Sequence, residues 1–155
     1  MSLPASLTPE KIRALLDTAR SMYDYILIDS PAGLGAGFRL AICGADRAVV
    51  VATNDASSLR DAQRTVSELD HMRQVHLVMN RIQTKLLRRL RATIDDAMDA
   101  AGLPLIGVVP EDPYVILCAN LGQPLTDRGK RGAALACWNI ARRLEGQRVP
   151  IMRIR

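Results

Sequence analysis

Leu105-Ile106-Gly107-Val108-Val109-Pro110-Glu111-Asp112 is five apolar residues running straight into a proline and two acids. A short unbroken apolar run bounded by a turn signal reads as a strand buried on both faces, because a half-exposed strand would alternate. Three more runs have this form: Tyr25-Ile26-Leu27-Ile28, Ala48-Val49-Val50-Val51 and Val75-His76-Leu77-Val78-Met79. Helical period fills the intervals. Ile12, Leu15, Leu16, Ala19 and Met22 share one face, with Thr8 placed to cap and Pro9 at the first helical position. Leu59, Ala62, Val66 and Leu69 make a second stripe, and Leu90, Ile94, Ala97, Met98 and Ala101 a third that stops at Gly102. Two more helices follow the last strand, one ending at Gly122 and one running from about Gly129 to Leu144. Strands alternating with helices of this length predict right-handed crossovers and an α/β fold, a mainly parallel sheet with helices on both faces.

At 155 residues and 48% apolar content the chain suits one core, so residues 1–146 read as a single domain with a short basic tail at 147–155. Cys43, Cys118 and Cys137 lie far apart with no paired spacing, and His71 and His76 form no ligand pattern, so reduced thiols and no metal centre are expected. No stretch approaches the roughly 18 apolar residues of a membrane span, and the N-terminus lacks a signal-peptide layout. The expected location is the cytoplasm. A formal charge of +5 is too modest, and too free of interleaved aromatics, to argue for nucleic acid. The densest basic stretch, Lys85 to Arg91, also contains Leu86, Leu87 and Leu90, a core stripe with a solvated basic face.

In open parallel sheets ligands bind beyond the carboxyl ends of the strands. Each apolar run here ends in polar residues: Asp29-Ser30-Pro31-Ala32-Gly33, Thr53-Asn54-Asp55, Asn80-Arg81 and Pro110-Glu111-Asp112. The first loop is the most informative, since an acid at a strand end can hold a magnesium-bound water and Gly33 lets the backbone approach a phosphate. The same residues also make an ordinary turn. Two rival motifs fail on spacing. Gly33 and Gly35 are followed by Phe38 where a dinucleotide fingerprint needs glycine, and Ser30 has Ile28 where a hydrolase elbow needs glycine.

Taken in order, these motifs resemble the MinD branch of the deviant P-loop ATPases. The resemblance rests on Tyr23 to Gly33, Gly37-Phe38, Gly44 to Val51, Ser57 to Ala62, Val78 to Arg81, Leu105 to Asp112, Asn120 to Pro124 and Asn139 to Leu144. Leu3-Pro4-Ala5-Ser6 is similar to the end of the strand that precedes this block in the family. It implies a P-loop NTPase-like fold and ATP with Mg as ligands. Asp29 would be the Mg-linked acid, Gly33 would lie near the terminal phosphate, and Asn80 would bond the adenine edge. Arg81 would flank the base, and Pro110, Glu111 and Asp112 would close over it. Ser57 and Asp61 would fall on the helix that meets MinC-like and MinE-like division proteins. The complete protein would form an ATP-dependent homodimer, act in septum placement and associate peripherally with the inner face of the cell membrane.

The sequence departs from that family in three ways. It contains no K-G-G-x-G-K-T phosphate loop; its three lysines are Lys11, Lys85 and Lys130, and Gly129-Lys130-Arg131 lacks the following Ser or Thr. With few donors for the transferred phosphoryl group, this polypeptide alone is not expected to hydrolyse ATP. The family's first strand is central in the sheet, so without it apolar edges of neighbouring strands are expected to lack partners. The tail from Gln147 to Arg155 offers only Val149, Ile151, Met152 and Ile154 among arginines, a weak membrane anchor. The alternatives are a non-catalytic interaction module that keeps the partner surface, or a sister ATPase of the ParA partitioning or flagellar-number type. A metallocentre-loading ATPase would need the absent CxC or CxxC pair.

Overall fold

The structure is a computed structural model that describes residues 7–83, 85, 86 and 94–152. Most of the basic stretch Lys85–Arg91, and Leu3 to Ser6, lie outside the described residues. The chain forms two compact units, Met1–Ala48 with Glu68–Gln74, and Val49–Ser67 with Val75–Arg155.

The smaller unit begins with helix α1 (Pro9–Arg20), capped by Thr8, whose hydroxyl accepts from Lys11 N at 3.4 Å. Leu16 is the buried member of its apolar stripe, whereas Leu15 and Met22 are exposed. Helix α2 (Ala36–Ile42) buries Phe38. Arg20 ties α1 to the following turn, donating to the Gly44 carbonyl at 2.7 Å, and Gly44 has no room for a Cβ against Leu16.

Tyr25 to Ile28 is not a strand. Residues 25–31 form neither helix nor ladder among the described residues, and Leu27 is 95% exposed. The apolar run has strand composition, yet a strand is defined by pairing, and this run joins no ladder among the described residues.

The larger unit holds a three-stranded parallel sheet in the order β1-β2-β3: β1 (Ala48–Ala52), β2 (Val75–Ile82) and β3 (Leu105–Pro110). On β1 the sides alternate, with Val50 and Ala52 buried and Val49 and Val51 exposed, as an edge strand allows. β3 is buried over most of its length and β2 from Leu77 to Met79 and at Ile82, which is why both read as largely apolar runs. Their register pairs Leu77 with Leu105, Val78 with Gly107, Met79 with Val108 and Ile82 with Pro110, with irregularities after Leu77 and after Met79.

Helices α3 (Ala56–Ser67) and α4 (Ile94–Ala101) pack on each other, and α4 stops at Gly102, whose φ of 67° favours glycine. Helix α5 (Pro113–Leu121) ends in the same way at Gly122. A 3-10 turn (Leu125–Arg128) leads to α6 (Gly132–Leu144), which packs on β3. The core joins Val78, Ile106 and Val109 of the sheet to Ala133 and Ala136 of α6, flanked by Leu125, Ile140, Leu144 and Met152. Burying an aliphatic side chain of this size contributes roughly 1.5–3 kcal/mol. Close approach of helix and strand depends on Gly107, where a Cβ would stand 2.6 Å from Ile140 Cδ1 and nearer still to Cγ1.

Arg143 ties the C-terminal segment to the core. Arg143 donates through Nε to the Val149 carbonyl at 2.8 Å, through Nη1 to the Ile106 carbonyl at 2.7 Å, and through Nη2 to the Pro150 carbonyl. Burial draws its pKa below the usual guanidinium value. Met152 faces the core and Ile151 is exposed.

Candidate functional site

The carboxyl ends of β2 and β3 meet at Asn80, Arg81, Pro110, Glu111 and Asp112. Past Met79 the pairing becomes irregular, and Arg81 takes φ 55°, the one positive value outside glycine among the described residues. A left-handed non-glycine residue costs roughly 1–2 kcal/mol, so local bonds must hold it. Arg81 N donates to Asn80 Oδ1 at 2.9 Å, and its guanidinium pairs with Glu111 Oε2 at 3.3 Å. Glu111 N donates to the Ile82 carbonyl at 3.0 Å, carrying the ladder one residue beyond β3. The first bond engages the Asn80 side-chain oxygen, while the Arg81 guanidinium, a flat exposed cation paired with Glu111, stands at the same strand end.

Asp112 builds the next turn. Its Oδ1 accepts from Tyr114 N at 3.0 Å at the start of α5, and its Oδ2 accepts from Ala133 N at 3.0 Å in the first turn of α6. One carboxylate therefore caps two helices. Gly132, at φ 48°, has no room for a Cβ beside Asp112 Oδ2.

At the end of β1, Asp55 gathers donors from Thr53 Oγ1, from Ser57 Oγ at 2.7 Å and from Ser58 N at 2.9 Å. In sequence this acid belongs to a polar loop, and an Asp at a helix start is itself a capping signal. Ser57 and Asp61 lie exposed one turn apart on α3; Ser57 also serves this cap, and Asp61 pairs loosely with Arg64 at 3.8 Å. Nearby, Asn54 Nδ2 is buried with no hydrogen-bond partner among the described residues. The Thr53 hydroxyl first, then the Ser58 amide and the Ser57 hydroxyl, hold the Asp55 carboxyl well below the usual carboxylate range. A depressed folded pKa gives stability that is complete above the unfolded value, roughly 3.9, and fades as pH falls toward the folded value. Urea unfolding should therefore separate the parent from Asp55→Ala by a constant gap above about pH 5, narrowing on acidification below about pH 4. A gap independent of pH into strong acid would mean that the carboxylate charge plays no part.

Asp29 and Gly33 belong to the smaller unit. Asp29 is exposed, Gly33 has φ 84°, and Pro31 rests on Gly37, where a Cβ would stand 2.7 Å from Pro31 Cγ. Among the described residues no cluster of three or more His, Cys, Asp or Glu could hold a metal ion by protein ligands alone. A single acid such as Asp29 fits a metal held mostly by water and phosphate oxygens.

The parallel sheet, its helices and the polar strand ends make an α/β domain of P-loop NTPase-like architecture. No family model matches the chain. It is 36% identical over 151 residues to the septum site-determining protein MinD of Synechocystis, covering 95% of this chain and 57% of that protein. Among solved structures, MinD in the MinC:MinD cell division complex of Aquifex aeolicus is 35% identical with a TM-score of 0.89, over 97% of this chain and 64% of that one. The MinD of Pyrococcus horikoshii, solved with Mg-ADP, is 25% identical with a TM-score of 0.75, over 89% and 57%. The chain spans little more than half the length of the curated relatives it matches, and over that span it is similar to MinD.

Proposed function

We propose that this chain supplies the base-binding side and a magnesium-linked loop of a MinD-type ATP-driven switch acting in division-site placement. The observation that carries the reading is the end of β2 and β3, where a left-handed Arg81 is held between Asn80 Oδ1 and Glu111. Strain kept in place by two local bonds at the ligand end of a parallel sheet is the mark of a binding site. ATP with Mg is the ligand, in keeping with the Mg-ADP held by the Pyrococcus relative. Asn80 bonds the adenine edge, Arg81 lies along the base, and Pro110, Glu111 and Asp112 close the loop. Asp29 holds magnesium through water, and Gly33 lies beside the phosphate.

Ser57 and Asp61 face protein partners of the MinC and MinE kinds, and the MinC:MinD assembly of the Aquifex relative supports the first. ATP-dependent pairing of two copies and peripheral attachment to the membrane complete the cycle.

Titration of Mg-ADP into the isotope-labelled chain should move the amide resonances of Asn80, Arg81, Glu111 and Asp112, and Asn80→Ala should remove most of that response. Saturating nucleotide that leaves those four amides unmoved would sink the reading.

A further inference from the structure

Glu111 stands on a rigid point of the chain. Pro110 before it has its φ fixed by the ring and pairs in register with Ile82, and Asp112 after it is bonded to Tyr114 N and Ala133 N. The Glu111 amide itself donates to the Ile82 carbonyl at 3.0 Å. The backbone on both sides is thereby held, and only the side-chain torsions of Glu111 are left to place its carboxylate.

That carboxylate meets Arg81, with Oε2 3.3 Å from Nε. Arg81 is in turn kept at φ 55° by the bond from its amide to Asn80 Oδ1. A guanidinium is planar and its N–H bonds lie in the plane, so a carboxylate at Nε takes an edge of the group and not a face. The consequence is a chemical preference. A phosphate binds a guanidinium through its N–H edges, one of which Glu111 occupies while its charge opposes a second anion beside it. An uncharged aromatic ring binds the face, which the carboxylate holds still and does not cover.

We propose that Glu111 is a positioning residue: by holding an edge of Arg81 it sets the guanidinium face for the heterocyclic base of a nucleotide and turns the cation away from phosphate. This role rests on the nucleotide reading proposed above and adds the part of the nucleotide that Arg81 selects. Binding at this strand end then resides in a neutral ring and changes little with the number of phosphates.

The test is nuclear magnetic resonance of the isotope-labelled chain with three separate probes: adenosine, Mg-ADP, and pyrophosphate with magnesium. The readout is the Arg81 Nε–H resonance beside the Asn80 and Glu111 amides. Adenosine and Mg-ADP should both shift the Arg81 resonance through the ring current of the base, and pyrophosphate should leave it in place. Glu111→Gln keeps the shape and removes the charge. It should weaken binding of adenosine and of Mg-ADP by the same factor, roughly three- to tenfold for the ordering of one long side chain, and let pyrophosphate move the Arg81 resonance. Arg81→Lys keeps the charge and loses the plane, and should bind adenosine no better than Arg81→Ala. Urea unfolding checks that each variant folds; Arg81→Lys leaves Glu111 untouched, so either substitution alone decides. The role is overturned if pyrophosphate moves the Arg81 resonance of the parent, if Mg-ADP moves the site and adenosine does not, or if Glu111→Gln or Arg81→Lys binds adenosine as tightly as the parent. In each of these cases Mg-ADP still moves the Asn80 and Glu111 amides, and the nucleotide reading stands. Amides unmoved by adenosine and Mg-ADP alike would overturn both.

Discussion

Asp112→Ala is expected to lose about 2 kcal/mol of unfolding free energy, because a typical helix cap contributes about 1 kcal/mol and this carboxylate caps two helices. Tyr114 N at the start of α5 and Ala133 N at the start of α6 would each lose an acceptor, the second in a half-buried place that water reaches poorly. Asp112→Asn separates the two effects. Its carbonyl oxygen can keep one cap, but its amide nitrogen would confront another N–H, so about half of the loss should remain. Urea unfolding of the three proteins measures both steps. If Asp112→Ala were as stable as the parent to within a few tenths of a kcal/mol, the carboxylate would not be what joins the two helices.

Gly107→Ala should cost about 1–3 kcal/mol, and Gly107→Val more, through overpacking alone. The added Cβ falls on Cγ1 of Ile140, which is not the far end of that side chain, so the neighbour yields only by moving α6 off β3. That movement would also pull the Arg143 guanidinium from the Ile106 carbonyl and loosen the C-terminal segment. Ile140→Ala made alone removes volume from the core edge and destabilises. Added to Gly107→Ala it should recover part of the loss, since the two sites share one space. Strictly additive losses in the double-mutant cycle would rule out the steric account.

Much of the fold was legible because its signals are local. Thr8-Pro9 starts α1, Gly102 and Gly122 end helices, and the runs at 48–51, 75–79 and 105–109 are strands. Tyr25 to Ile28 has the same composition and is not a strand, because pairing depends on a neighbour that composition does not report. The α1 stripe misled in a related way: it orders five apolar residues on one face, but burial of Leu15 and Met22 needs an opposing surface. At the candidate site, the meeting of Asn80, Arg81 and Glu111 followed from strand-end placement. The left-handed turn at Arg81 did not, since arginine carries no signal for it. Arg143 was equally hidden: as one of several arginines near the C-terminus it looks solvated, and only the fold sets three carbonyls around it.

Where α6 packs on β3, Ala133 and Ala136 of the helix and Gly107 of the strand are small residues set among Ile106, Val109 and Ile140. Those three small positions have almost nothing to lose by truncation. Substitution there adds atoms to a packed seam, so tolerance to change is lopsided: these three positions can drift only among the smallest residues unless a facing side chain shrinks first. The route by which this seam varies over generations is therefore ordered, with Ile140 giving way before Gly107 can grow.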